Sequence, residues 1–160
     1  MKLNPFRRRS TPRMEKLRAL SLFAGLATNE LAIVDGLLHE RDFLKDEVIF
    51  DEGEEGQAIY IVLEGSVLIC RQGEPEAGLL ARVKAGSFFG DLALLENLPR
   101  AAQARAAENC RLAVFFRDDF LGLMETHGVI ASKISLQLAR TMGRRLRDAA
   151  LGTDAAHRHL

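Results

Sequence analysis

The apolar positions of this chain change their spacing twice, and the changes divide it into three parts. From Met14 to Leu38 the pattern is helical. Leu17, Leu20, Phe23 and Leu26 recur at spacings of three, and Leu31, Ile33, Val34, Leu37 and Leu38 form a second helical run for which Thr28 is the expected N-cap. From Phe43 to Phe116 β-branched and aromatic residues dominate, and glycines at 53, 56, 65, 73, 78, 86 and 90 cut the run into short pieces, which predicts an all-β barrel or sandwich. Residues 72–78, QGEPEAG, read as a hairpin loop, because Pro75 and two glycines do not suit a central strand. Residues 111–116, RLAVFF, read as the late strand that closes the barrel. After Arg117 the helical period returns, as a short helix over 118–127 and a longer one over 129–150. In the longer one Ile130, Ile134, Leu138, Met142 and Leu146 step by four to give an apolar stripe.

Length and composition fit one folded unit. A chain of 160 residues with 48% hydrophobic and 28% charged residues suits a single domain with appendages. The expected division is a flexible basic arm over 1–12, a domain over 13–150 and a polar tail over 151–160. Lys+Arg and Asp+Glu are both 22, so the whole molecule is not an electrostatic nucleic-acid binder. The basic runs at 5–13 and 140–148 and the acidic run at 46–55 read as solvated surface. Cys70 and Cys110 sit in apolar runs and behave as small buried hydrophobes rather than a disulfide framework. No run of roughly 18 apolar residues and no secretory signal is seen, which makes a cytoplasmic protein without a membrane span the expectation. None of the four histidines, His39, His127, His157 and His159, lies in the β run, so a histidine-bound metal is not expected there. No Ser/His/Asp set has recognisable context either, and no catalytic residue is assigned.

One segment carries candidate chemistry. Residues 88–106 read FFGDLALLENLPRAAQARA, an apolar run that nevertheless holds Asp91 after a glycine and Arg100 between a proline and two alanines. Gly90 permits a sharp turn or a close ligand approach. Residues 91–96 suit a little more than one helical turn, whose first N–H groups favour an anion. Pro99 stiffens the approach to Arg100, whose planar fork matches phosphate oxygens. An ionised Asp91 accepts hydrogen bonds from hydroxyls. The segment therefore offers either a phosphate clamp beside a hydroxyl acceptor or a buried Asp91–Arg100 ion pair.

The same residues resemble the phosphate-binding cassette of the cyclic nucleotide-binding domain family, the type found in catabolite activator proteins and in regulatory subunits of protein kinase A. Phe89-Gly90-Asp91, Leu92, Ala93 and Leu94, a five-residue spacer, and Arg100-Ala101-Ala102-Gln103-Ala104-Arg105-Ala106 fit the cassette, with Asp91 standing where the family has Glu. Residues 46–67 resemble the family's early strands, with Asp46 in place of a common glycine, and the likeness spans roughly 20 to 147.

The resemblance implies an α+β, mainly β fold, a jelly-roll-like double-stranded β-helix barrel with helices before it and lid helices after it. It implies a ligand site of Phe89, Gly90, Asp91, Leu92, Ala93, Arg100, Ala101 and Ala102, and no metal. Arg100 and the N–H groups of Ala101 and Ala102 would hold a cyclic phosphate, and Asp91 would accept from the ribose 2′-OH. Alanine at 101 lacks the hydroxyl that guanine-preferring members often carry, so cAMP is the implied ligand, with cGMP second. Asp is one methylene, roughly 1.5 Å, shorter than Glu, which predicts weaker binding unless the backbone shifts or a water bridges. The final helix would close over the base, capped by an apolar residue near 134–142, and would pass the signal to an unidentified protein effector. The stripe Ile134, Leu138 and Met142 would pair two chains or dock on the barrel. The dozen residues after Arg147 leave no room for a helix-turn-helix, so a stand-alone member without a DNA-reading module is expected. The alternative is a degenerate fold acting as a ligand-independent interaction or dimerisation module.

Overall fold

A computed structural model describes residues 10–152; the rest of the expected arm and tail, with His157 and His159, lies outside the described residues. Helix α1 (Pro12–Arg18) starts inside the expected arm, because Thr11 caps it by accepting from the Met14 N–H at 3.1 Å and Pro12 fills its first turn. A short 3-10 turn, Ser21–Phe23, leads to α2 (Thr28–Asp35). Thr28 is not the cap of α2. Ala27 holds that position, its N–H donates to Glu30 Oε1 at 2.9 Å, and the Thr28 hydroxyl accepts from Arg18 instead. The period-three apolar residues are all buried, although they span a helix, a turn and a loop rather than one helix.

Eight strands follow: β1 (His39–Phe43), β2 (Val48–Phe50), β3 (Ala58–Glu64), β4 (Ser66–Arg71), β5 (Glu74–Lys84), β6 (Phe88–Phe89), β7 (Gln103–Ala106) and β8 (Cys110–Phe116). They pair antiparallel as two sheets, β1-β8-β3-β6 and β2-β7-β4-β5, rather than as one closed barrel. The late strand β8 does not close anything, since it is central, between β1 and β3. The β region also begins earlier than Phe43, at His39, an exposed residue whose ring meets Phe116 edge-on at 5.4 Å. The expected 72–78 loop shrinks to Gln72 and Gly73, and Pro75 lies in β5, an edge strand where a missing N–H costs no ladder bond. The register there jumps, Cys70 opposite Leu79 and Arg71 opposite Glu74. Asp46, which stands where the family carries a glycine, is the described non-glycine residue with positive φ, 72°. Aspartate tolerates that left-handed turn better than most residues.

Strand alternation builds two cores. Val62 and Leu112 point between the sheets, where they meet Phe50, Val67, Ile69, Phe89 and Ala104. Ile59, Ile61, Leu63, Ala113 and Phe115 point the other way, onto the helices. Cys70 and Cys110 are buried and unbridged. Helix α3 (Arg117–Thr126) and the long α4 (Gly128–Ala150) complete the helical layer. Lys133 of α4 bonds Glu30 of α2 at 2.7 Å; this hydrogen bond, with that from the Ala27 N–H, holds the Glu30 carboxyl below the usual carboxylate range.

The α4 stripe does not run as expected. Ile130, Ile134 and Leu138 are buried, Met142 is half-buried and Leu146 is 73% exposed. Each four-residue step advances about 40° around a helix, so four steps carry Leu146 about 160° away from Ile130. Residues 134, 138, 141 and 145 keep to the inner face instead.

Candidate functional site

The segment after β6 is positioned by the aromatic core beneath it. Phe50, Tyr60 and Phe89 form a cluster, with the Tyr60 and Phe89 rings stacked at 5.3 Å. Gly90 turns the chain at φ 75°, and Asp91–Leu94 follow as a 3-10 turn, shorter than the expected 91–96 helix. Opposite, the turn before β3 frames the arginine. The Arg100 N–H donates to Glu54 O at 2.7 Å, the Gly53 N–H to Arg100 O at 2.8 Å, and Gly56 N–H to Leu98 O at 3.0 Å.

The Arg100 guanidinium lies over the Phe50 ring, 4.2 Å from its centroid, and 5.7 Å from that of Tyr60. It donates to Ala58 O at 2.7 Å and to Gly90 O at 3.4 Å, while its buried Nε has no acceptor. Burial pushes its pKa down, with Tyr60 and Glu54 acting the other way. Of the two arrangements that the segment allows, the Asp91–Arg100 ion pair is not formed. Asp91 is 2% exposed, and its two oxygens lie 3.2 and 3.0 Å from Arg145 Nη1 of α4. Among the described residues no salt bridge to Arg100 is formed, and Glu54 is the carboxylate that acts on it, at longer range.

Gly90, Asp91, Leu92, Ala93, Arg100, Ala101 and Ala102 all line one cavity of about 170 Å³, together with Phe50, Ile69, Leu98 and Pro99. Phe89 is placed differently, buried under the cavity as packing rather than as lining. No residue from 134 to 142 lines the cavity, and the expected lid residues Ile134 and Leu138 are committed to the helix-side core. Among the described residues no group of three or more His, Cys, Asp or Glu could hold a metal ion. No helix of the described residues is long and apolar enough to cross a membrane.

Sequence reasoning missed two arginines. Arg117, at the β8–α3 junction, donates through Nη1 to Gly56 O at 2.8 Å and to Ala93 O and Glu96 O at 3.2 Å each. It thereby ties the end of the 3-10 turn to the turn before β3, a place where carbonyl ends favour a cation. Arg145 was hidden in a basic run that reads as surface. Its helical spacing from Leu138 and Thr141 was the available signal.

The cavity brings a half-buried guanidinium and the residue Asp91 together between apolar walls, a combination that can contact a small organic anion carrying hydroxyl groups. Comparison with known proteins gives the family. The family model of the cyclic nucleotide-binding domain matches residues 40–127. The cyclic AMP receptor protein of Thermus thermophilus is 34% identical over 140 residues, 86% of this chain and 62% of the relative. A cAMP-dependent protein kinase regulatory subunit of Mycosarcoma maydis is 32% identical over 101 residues, 61% of this chain and 19% of the relative. The chain thus spans less than two-thirds of each of these relatives. The crystal structure of the N-terminal domain of a transcriptional regulator from Streptomyces coelicolor superposes with a TM-score of 0.74 at 27% identity, covering 84% of this chain and 94% of that one. By the matched family model, and by a double-sheet fold shared with that solved domain, the chain belongs to the cyclic nucleotide-binding domain family.

Proposed function

We propose that this chain is a regulatory or sensor domain that binds a cyclic nucleotide, cAMP in preference to cGMP, on a jelly-roll-like double-sheet scaffold, and performs no chemistry on it. The observation that carries the reading is Arg100, a guanidinium held on Phe50 with its Nε unpartnered at the cavity wall. Gly90, Leu92 and Ala93 line the sugar side of the cavity, and Asp91 is the ribose-hydroxyl acceptor. Arg100, Ala101 and Ala102 form the phosphate side. Ala101 offers no hydroxyl to a guanine edge, and two relatives carry cyclic AMP in their names. Binding is coupled to movement of α4, and through it to a protein effector, in a cytoplasmic setting. The alternative of a ligand-independent interaction module draws on one observation, that Asp91 is already paired with Arg145.

Titration of the purified chain with cAMP and cGMP decides between them. A melting point that rises with ligand concentration, further for cAMP than for cGMP, is expected by mass action. No shift with either leaves only the interaction module.

The same proposal includes a homodimer through α4, on a different face from the Ile134/Leu138 stripe, which is consumed by the core. Val129, Ser132, Leu136, Ala139, Gly143 and Leu146 alternate at spacings of three and four, and all are exposed, Val129 at 65% and Leu136 at 50%. That is the a/d spacing of a heptad, with Val129, Leu136 and Leu146 as its large apolar residues. Sedimentation equilibrium is expected to give a dimer that Leu136→Glu converts to monomer; a monomeric wild type at high micromolar concentration ends this part of the reading.

A further inference from the structure

We propose that Arg71, outside the cavity, is a positioning residue for its phosphate side: it fixes the peptide group between Ala101 and Ala102 so that the Ala102 N–H is turned to the ligand. The inference rests on the cyclic nucleotide reading above and adds a residue which that reading does not use.

The peptide lies between two backbone anchors. On one side the Arg100 N–H donates to Glu54 O at 2.7 Å, and Arg100 O accepts from the Gly53 N–H at 2.8 Å. On the other side β7 begins at Gln103, opposite Cys70 of β4. Between the anchors a side chain takes the Ala101 carbonyl, with Arg71 Nη1 donating to it at 3.2 Å. Arg71 and Ala101 are exposed, whereas Ala102 is 3% exposed. The carbonyl and the N–H of one trans peptide point in opposite directions. A carbonyl drawn outward to an exposed arginine therefore turns the Ala102 N–H inward, at the point where Ala101 and Ala102 line the cavity.

Arg71 is itself held. The same Nη1 donates to Glu52 Oε1 at 2.8 Å, and Glu52 Oε2 accepts from the Gln72 N–H at 3.3 Å. Gly78, across the hairpin, leaves the space for it, since a Cβ there would stand 2.8 Å from Arg71 Cβ. Glu52 follows β2, Arg71 ends β4 and Ala101 belongs to the cassette, and Phe50, Ile69 and Arg100 on the same segments line the cavity. One guanidinium thus joins these walls from outside.

The Arg71 and Glu52 side chains are 54% and 33% exposed, and ion pairs so open to water contribute little to stability. Arg71→Met is therefore expected to melt close to wild type. Calorimetry is expected to show it binding cAMP about fivefold more weakly, since a hydrogen bond to the phosphate is misdirected. Arg71→Lys keeps a charged donor and should recover most of the loss. A second signature needs no ligand. In nitrogen–proton spectra of the free protein the Ala102 amide resonance should move in Arg71→Met and move less in Arg71→Lys. Unchanged cAMP affinity in Arg71→Met, or an Ala102 resonance that stays in place, overturns the proposal. A loss of affinity that comes with a fall in melting point and is not recovered by lysine also overturns it, as damage to the fold. If wild type binds neither cAMP nor cGMP, the ligand reading falls, and the Ala102 resonance alone decides whether Arg71 sets the peptide.

Discussion

Arg100→Ala is expected to lower cyclic nucleotide affinity by about a hundredfold or more, because the ligand loses a forked, charge-assisted contact made in a partly desolvated site. The fold should survive. Arg100 belongs to neither hydrophobic core, and its loss leaves Ala58 O and Gly90 O each short of one donor, a cost of order 1–2 kcal/mol. Arg100→Lys separates charge from geometry. Lysine keeps the charge but neither the fork nor the planar contact with Phe50, so its affinity should stay much closer to that of alanine than of wild type. Calorimetry with cAMP on the three proteins, alongside their melting curves, checks this. Wild-type affinity in Arg100→Ala would remove the phosphate assignment altogether.

The second large effect is at Gly90. Its φ of 75° is left-handed, and a Cβ there would lie 2.6 Å from Arg100 Nη1. Gly90→Ala should therefore cost about 1–2 kcal/mol of stability from the backbone alone. It should also push the guanidinium off Phe50. Displacing a positioned donor fork by even an ångström weakens every bond it makes, and an affinity loss of about tenfold or more is expected. Gly86 is the control. It too has positive φ, 88°, but a Cβ there meets nothing within 4 Å, so Gly86→Ala should lose stability without losing affinity. Equal affinity in Gly90→Ala and wild type would mean that Arg100 need not sit where the structure puts it.

These two positions show how unevenly the site was legible. Gly90, Asp91 and Arg100 form a local constellation with a spacing that has chemical meaning, so the sequence pointed to them directly. Ala101, Ala102, Leu92 and Ala93 came with them because neighbours in sequence share the same short segment. Phe50, Ile69 and Tyr60 arrive from other strands, and their convergence depends on which strand pairs with which. Phe89 shows the converse error. It belongs to the motif but faces the core, since alternation along a strand sends every second side chain away from its neighbour's surroundings.

The partner of Asp91 is the sharpest case. Two opposite charges in one apolar run suggest each other as partners, and the structure gives Asp91 to an arginine of α4 instead. Helix α4 shows the same limit. A step of four residues looks like one stripe on paper, yet the helix turns a little further each time, so Leu146 faces out and Arg145 faces in.

What the sequence determined by itself was the order of helix, sheet and helix and the segment able to hold an anion, because periodicity and glycine spacing act over a few residues. Only the tertiary structure decided that the strands form two sheets rather than one closed barrel, that Arg100 forms no ion pair with Asp91, and that Asp91 pairs with Arg145. Those are contacts between distant parts of the chain, Asp91 with Arg145 at 54 residues apart and His39 opposite Val114 farther still, and no local preference of either part encodes where the other will be.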